Sequence, residues 1–128
     1  MKLENIKFKA KRIDNGKWVY GSLIRSTTGI KERAYIVDNF SSMSDYSIIS
    51  VDPSTVCQFT GLKDCKGREV WEGDVIKDPY LGKECTIEWN NHLCSFTALD
   101  EINSSDKPPG ALVKSLGWYV VGNKFDNK

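Results

Sequence analysis

The chain has 128 residues, of which 40% are hydrophobic and 27% charged, and its eighteen basic and seventeen acidic side chains leave a formal net charge of +1. That is the make-up of an ordinary globular protein of one-domain size, able to bury roughly two-thirds of its extended-chain surface without staples. It excludes a global electrostatic footprint for nucleic acid or anionic membrane, and leaves room only for a local basic patch. The opening MKLENIKFKAKR lacks the apolar core of a secretory signal. No apolar run approaches the roughly 18 residues of a membrane span. A cytoplasmic protein with no membrane partner is therefore expected, and Cys57, Cys65, Cys85 and Cys94 read as reduced thiols.

Taken in order, Ile6, Phe8 and Ala10 alternate with Lys7, Lys9 and Lys11. Period-2 alternation predicts a strand with one dry face and one wet, basic face. Asp14-Asn15-Gly16-Lys17 is a turn signal, and Trp18–Ile24 should return as the second strand of an antiparallel hairpin. Trp18 and Tyr20 are expected opposite Phe8 and Ile6, which would put aromatics inward and lysines outward on separate faces. Arg33–Val37 predicts a third strand, Asp38–Asp45 a serine-rich loop, and Tyr46–Val51 another strand. Asp52-Pro53-Ser54-Thr55 has the cap and first-turn proline of a single helical turn.

The stretch Gln58–Lys77, QFTGLKDCKGREVWEGDVIK, holds the densest turn chemistry. Val56–Phe59 should be a short strand ended by Thr60-Gly61. Asp64-Cys65-Lys66-Gly67 has the form of a tight turn, and Glu72-Gly73-Asp74 is a second break. Three short strands and two turns in so few residues point to a small barrel or sandwich. The six-residue spacing of Gly61, Gly67 and Gly73 matches no phosphate-binding loop. Further on, Glu84–Trp89 and Cys94–Leu99 should pair across Asn90-Asn91-His92, after a hairpin tip at Leu81-Gly82-Lys83. Asp100–Gly110 reads as a loop, Ala111–Leu116 as a short helix and Gly117–Val121 as the last strand. The chain is expected to be a single domain over residues 1–128, with a soft subdivision into 1–51 and 52–128.

Two groups of residues invite a functional reading. Lys7, Lys9, Lys11 and Arg12, beside Trp18 and Tyr20, are the candidate nucleic-acid contact, because single-strand binders combine basic grooves with aromatic platforms. Glu69, Glu72 and Asp74 are the candidate carboxylate cluster for metal or acid–base work, set against the plainer reading that Glu72 and Asp74 flank a turn glycine. His92 and Cys94, with Cys85, lack the spacing of a zinc finger or ribbon. No catalytic residue, metal or cofactor is expected.

The segments Ile6–Ala10, Trp18–Gly21, Val51–Asp64, Lys66–Glu69, Glu72–Ile76 and Val121-Gly122-Asn123 together resemble the YopX family of phage and prophage proteins. The most specific part is Gln58-Phe59-Thr60-Gly61-Leu62-Lys63-Asp64 with the later Glu72-Gly73-Asp74; the ending Lys124-Phe125-Asp126-Asn127 departs from the family's usual pattern. The resemblance implies a mainly β protein of short antiparallel strands. It further implies a small, SH3-like barrel in the C-terminal half, after an N-terminal β-hairpin or sheet and one or two helical turns. It carries over no catalytic residue or cofactor.

The expected function is that of a phage- or prophage-encoded, non-catalytic binding module for a host or phage protein, contacting it through Asp38–Asp45 or Asp100–Gly110. The alternative is nucleic-acid binding in phage replication or regulation. An enzyme built on Glu69, Glu72 and Asp74 ranks third, because there is one histidine and no nucleophile–base pairing. Short exposed strands also offer a route to a homo-oligomer.

Overall fold

The computed structural model describes residues 2–27, 29, 31–38, 47–100, 102 and 105–126. The serine-rich stretch after Asp38 lies outside them. The chain forms two compact units, Met1–Gln58 and Phe59–Lys128.

The first unit is an antiparallel sheet of β1 (Phe8–Lys11), β2 (Trp18–Ser26), β3 (Arg33–Asp38) and β4 (Ser47–Val51), neighbours in chain order. The β1–β2 hairpin forms as expected, but three residues out of the expected register. Lys11 lies opposite Trp18, Lys9 opposite Tyr20, Ala10 opposite Val19 and Phe8 opposite Gly21. The loop sets this. Arg12 N–H donates to the Lys17 carbonyl at 2.9 Å and Gly16 N–H to the Arg12 carbonyl at 3.0 Å. Lys17 N–H also donates to the Asn15 side chain at 2.9 Å. The loop therefore closes on Arg12 and Lys17, wider than a two-residue Asn-Gly turn. A slip by an odd number of residues moves every side chain to the other face. Lysines and aromatics consequently share a face, which corrects the expected segregation.

Ala10, Val19, Ala34, Ile36 and Val51 form the buried side of this sheet, with Phe8, Leu23, Ile49 and Val56 packed against them. The sheet curls so that a single bridge joins Arg12 to Val51. Ile13 N–H donates to the Ser50 carbonyl at 3.2 Å and Asp52 N–H to the Lys11 carbonyl at 2.8 Å. The expected helical turn follows at Pro53–Thr55, capped by Asp52, whose carboxylate accepts Ser54 N–H at 3.0 Å. The Thr55 hydroxyl accepts Lys11 N–H at 2.9 Å and holds β1 against this turn.

β5 (Cys57–Lys63) begins beside β1, with Cys57 opposite Lys9, and from Phe59 onward pairs with β6 (Glu69–Trp71). It was expected to end at Thr60-Gly61. Instead it runs through them on a bulge, with Gly61 at φ 86°. The Thr60 hydroxyl donates to the Val70 carbonyl at 2.6 Å and accepts Leu62 N–H at 3.2 Å. A side chain thus stands in for the interrupted ladder.

The second unit adds β7 (Asp74–Lys77), β8 (Glu84–Asn90), β9 (Ser95–Asp100), β10 (Ser105–Lys107), the helix α1 (Pro109–Ser115) and β11 (Tyr119–Asn123). Its sheet runs β10-β9-β8-β7-β11. The mainly β fold of short antiparallel strands and brief helical turns is as expected; among the described residues the sheet stays open from β10 to β11 and no barrel closes. Val70, Ile76, Cys85, Ile87 and Ala98 form the core with Leu112, Val113 and Trp118. Two expectations change here. The stretch Asp100–Gly110 was expected to be loop, but Ser105–Lys107 pairs with β9 and Pro109 opens α1. Cys94 was expected to start a strand, but it closes the β8–β9 loop at φ 51°.

Two glycines should respond to alanine with opposite signs. At Gly21 an added Cβ would sit 2.0 Å from the Val37 carbonyl oxygen. Gly21→Ala should cost on the order of 1–3 kcal/mol in a denaturant titration. At Gly110, in the first turn of α1, the nearest atom is Leu62 Cδ2 at 4.0 Å. Gly110→Ala should stabilise by about 0.5 kcal/mol.

Candidate functional site

The carboxylates singled out from the sequence are not gathered into a site. Asp74, at the start of β7, is 2% exposed. One of its oxygens accepts Trp71 N–H at 2.8 Å and the other the Asn123 amide at 2.9 Å. The Asn123 amide also reaches the Glu72 carbonyl at 3.2 Å, and its oxygen accepts Phe125 N–H at 2.9 Å. Asp74 therefore ties the β6–β7 turn to β11 at the end of the chain. Half-buried Glu69 and Glu72 stand on β6 and the following turn. Among the described residues no group of three or more His, Cys, Asp or Glu side chains is arranged to hold a metal ion. His92 lies in the β8–β9 loop, while Cys85 is buried in the core, where desolvation above all raises its thiol pKa.

Asp64 is a second buried carboxylate. One oxygen accepts Lys66 N–H and Arg68 N–H, both at 2.9 Å, and the other accepts Val120 N–H at 3.0 Å. The Arg68 guanidinium donates to the Val120 carbonyl at 2.8 Å. The expected Asp64–Gly67 turn is thereby fastened to β11.

Beside that junction a groove opens, with a volume near 750 Å³. Cys65 forms one wall. A second is the β7–β8 turn, where Tyr80 N–H donates to the Asp78 carboxylate at 2.9 Å and Gly82, at φ 72°, completes the bend. The third is the end of α1, where Trp118 N–H donates to the Leu112 carbonyl at 3.0 Å around Gly117 at φ 72°. This is a left-handed helix stop, for which glycine is preferred. The groove is floored by buried Trp118 and rimmed by Tyr80, Leu81 and Leu116, which are 89%, 74% and 56% exposed. Asp78 and Lys114 supply one charge of each sign to the lining. Sequence reading missed this site because three distant segments build it. One signal was available: Tyr80-Leu81 puts two large apolar residues in a turn, where polar ones are usual.

The nucleic-acid candidates lie in the first unit. Lys9 Nζ is 4.4 Å and Lys11 Nζ 5.0 Å from the Trp18 ring centroid. Lys9 is only 7% exposed, whereas Tyr20 is half exposed. Arg12 donates to both carboxylate oxygens of Asp14, at 2.9 and 2.8 Å, and this hydrogen bonding holds the Asp14 pKa below its ordinary value. Lys7 precedes β1 and is half-buried. Trp71 offers no aromatic platform, being buried against Phe59 at 5.3 Å between ring centroids. Charge is unevenly distributed: the first unit carries nine basic against six acidic residues, the second nine against eleven. No helix among the described residues is long and apolar enough to cross a membrane.

Asp74→Ala should strand the Trp71 N–H and the Asn123 amide. A loss of roughly 3 kcal/mol in thermal or chemical unfolding is expected, as for other hydrogen bonds to buried charge. Asp74→Asn should lose less.

Compared with known proteins, residues 7–128 match the family model described as YopX protein. No curated protein matches the chain.

Proposed function

The chain belongs to the YopX family, and from that starting point we propose that it is a phage- or prophage-encoded, non-catalytic binding module that acts in the cytoplasm of a bacterial host. Its partner is a host or phage protein, which presents an apolar segment to the groove of the second unit. The observation that carries this reading is the cluster of Tyr80, Leu81 and Leu116, each more than half exposed, around a cavity floored by Trp118. Large apolar side chains held on ordered backbone around a concave surface are the usual anchors of protein recognition. The Schellman stop at Gly117 and the Asp78-capped turn pre-order two of the walls, which lowers the entropy cost of association.

The test is affinity capture of the tagged protein from host lysate, after nuclease treatment, with wild type and with a Leu81→Asp/Leu116→Asp variant. Both substitutions are at exposed positions, so the variant should unfold at the wild-type temperature. The expected result is a protein partner retained by the wild type and reduced at least tenfold with the variant. Equal capture by both would exclude the groove.

A second reading, nucleic-acid binding, is supported by the register that puts Lys9 and Lys11 on one face with Trp18 and Tyr20, together with the basic excess of the first unit. With Lys9 buried and Arg12 paired to Asp14, the contacting cations differ in part from those singled out in the sequence. Fluorescence anisotropy with a labelled oligothymidylate checks this. Affinity should fall steeply between 50 and 200 mM salt. Binding absent at low salt would reject it.

A further inference from the structure

The first unit holds a cavity of about 330 Å³ between the start of β3 and the end of β4. Its walls include Ile13, Tyr35, Val51 and Pro53, with Lys31 and Arg33 among its lining residues. By strand alternation Arg33 and Tyr35 stand on one side of β3, while Ala34 and its partner Val51, which also line the cavity, stand on the other, so the cavity is reached from both sides of this end of the β3–β4 pair. Ser50, opposite Tyr35 across the β3–β4 pairing, also lines the cavity. The remaining charged residue there is Glu32, whose carboxylate is bonded by Arg25 at 3.3 Å. Neither Lys31 nor Arg33 has an ion-pair partner among the described residues. The cavity thus combines an aromatic residue, apolar walls and two cations without an ion-pair partner among the described residues.

We propose that this cavity takes one nucleotide of a single-stranded nucleic acid, its base against Tyr35 and its flanking phosphates on Lys31 and Arg33. The inference rests on the second reading above and gives it a site. Size favours one nucleotide: the volume is at the low end of the roughly 300–1,000 Å³ range of ligand pockets. Charge favours an anion, since Lys31 and Arg33 outnumber Glu32 among the described lining residues and Glu32 is itself bonded by Arg25. A flat base needs one exposed ring face and no base-specific donors, so binding is sequence-tolerant. Duplex is disfavoured, because its bases are stacked away from Tyr35.

The experiment measures anisotropy of a fluorescein-labelled oligothymidylate of about ten nucleotides, a length in the range of single-strand site sizes. Wild type is compared with Lys31→Ala/Arg33→Ala, whose positions are exposed and do not threaten folding. A tenfold or greater loss of affinity is expected, with the salt slope reduced by about 1.4, or about 0.7 for each lost phosphate contact. Ultraviolet cross-linking of the wild-type complex should place a thymine on the peptide containing Tyr35. Unchanged affinity and slope in the variant would overturn the assignment while leaving the second reading intact. No binding by the wild type would overturn both. Equal affinity for duplex of the same length would also overturn it, because the cations would then be a phosphate patch without a base site.

Discussion

The second unit depends on two carboxylates used as backbone partners. Asp64 accepts three N–H groups, two from its own turn and one from β11. Without it, the β5–β6 turn and the last strand would have no direct tie through that side chain. Asp74 repeats the device on the other side of β6, where its partners are Trp71 N–H and Asn123. Each hydrogen bond to a buried charge is stronger than a neutral one, and one bond of each carboxylate, Asp64 to Val120 and Asp74 to Asn123, joins segments about fifty residues apart. The groove inherits its shape from these ties. The turn held by Asp64 carries Cys65, and β11 follows directly from the Gly117-Trp118 floor.

The same geometry explains why acidic residues near turn glycines so seldom mark catalysis. A carboxylate beside a tight turn meets several unpaired N–H groups at once, and satisfying them leaves it little freedom to bind substrate. Asp64 and Asp74 are spent in this way. In the first unit, lysine and arginine show the corresponding pattern: Arg12 serves Asp14 and Lys9 lies over Trp18. The apolar rim of the groove and the cations at the start of β3 are not spent in this way.

Much of the architecture was legible in the chain because short-range chemistry writes it. The Asp52-Pro53 cap, the Asp64–Gly67 turn and the β1–β2 hairpin each rest on a few adjacent residues. Three things were not legible. The hairpin register depended on where the loop between Arg12 and Lys17 closes, a choice among nearly equivalent turns that alternation alone does not decide. Thr60-Gly61 looked like a break because the compensating bond runs to the Val70 carbonyl, ten residues on. The groove and the β3–β4 cavity draw on segments that become neighbours only once the sheets exist. Leu116 and Tyr35 therefore carried no local signature, and Tyr80-Leu81 only the oddity of apolar residues in a turn, whereas Glu72 and Asp74, conspicuous in the sequence, turned out to include a structural tie.

β5 passes from one partner to another without leaving the extended conformation. Its first residues belong to the unit that ends at Gln58, and its remainder to the unit that begins at Phe59. Cutting the chain between Gln58 and Phe59 would therefore sever a strand and leave an unpaired strand end on each product, although each unit has a core of its own.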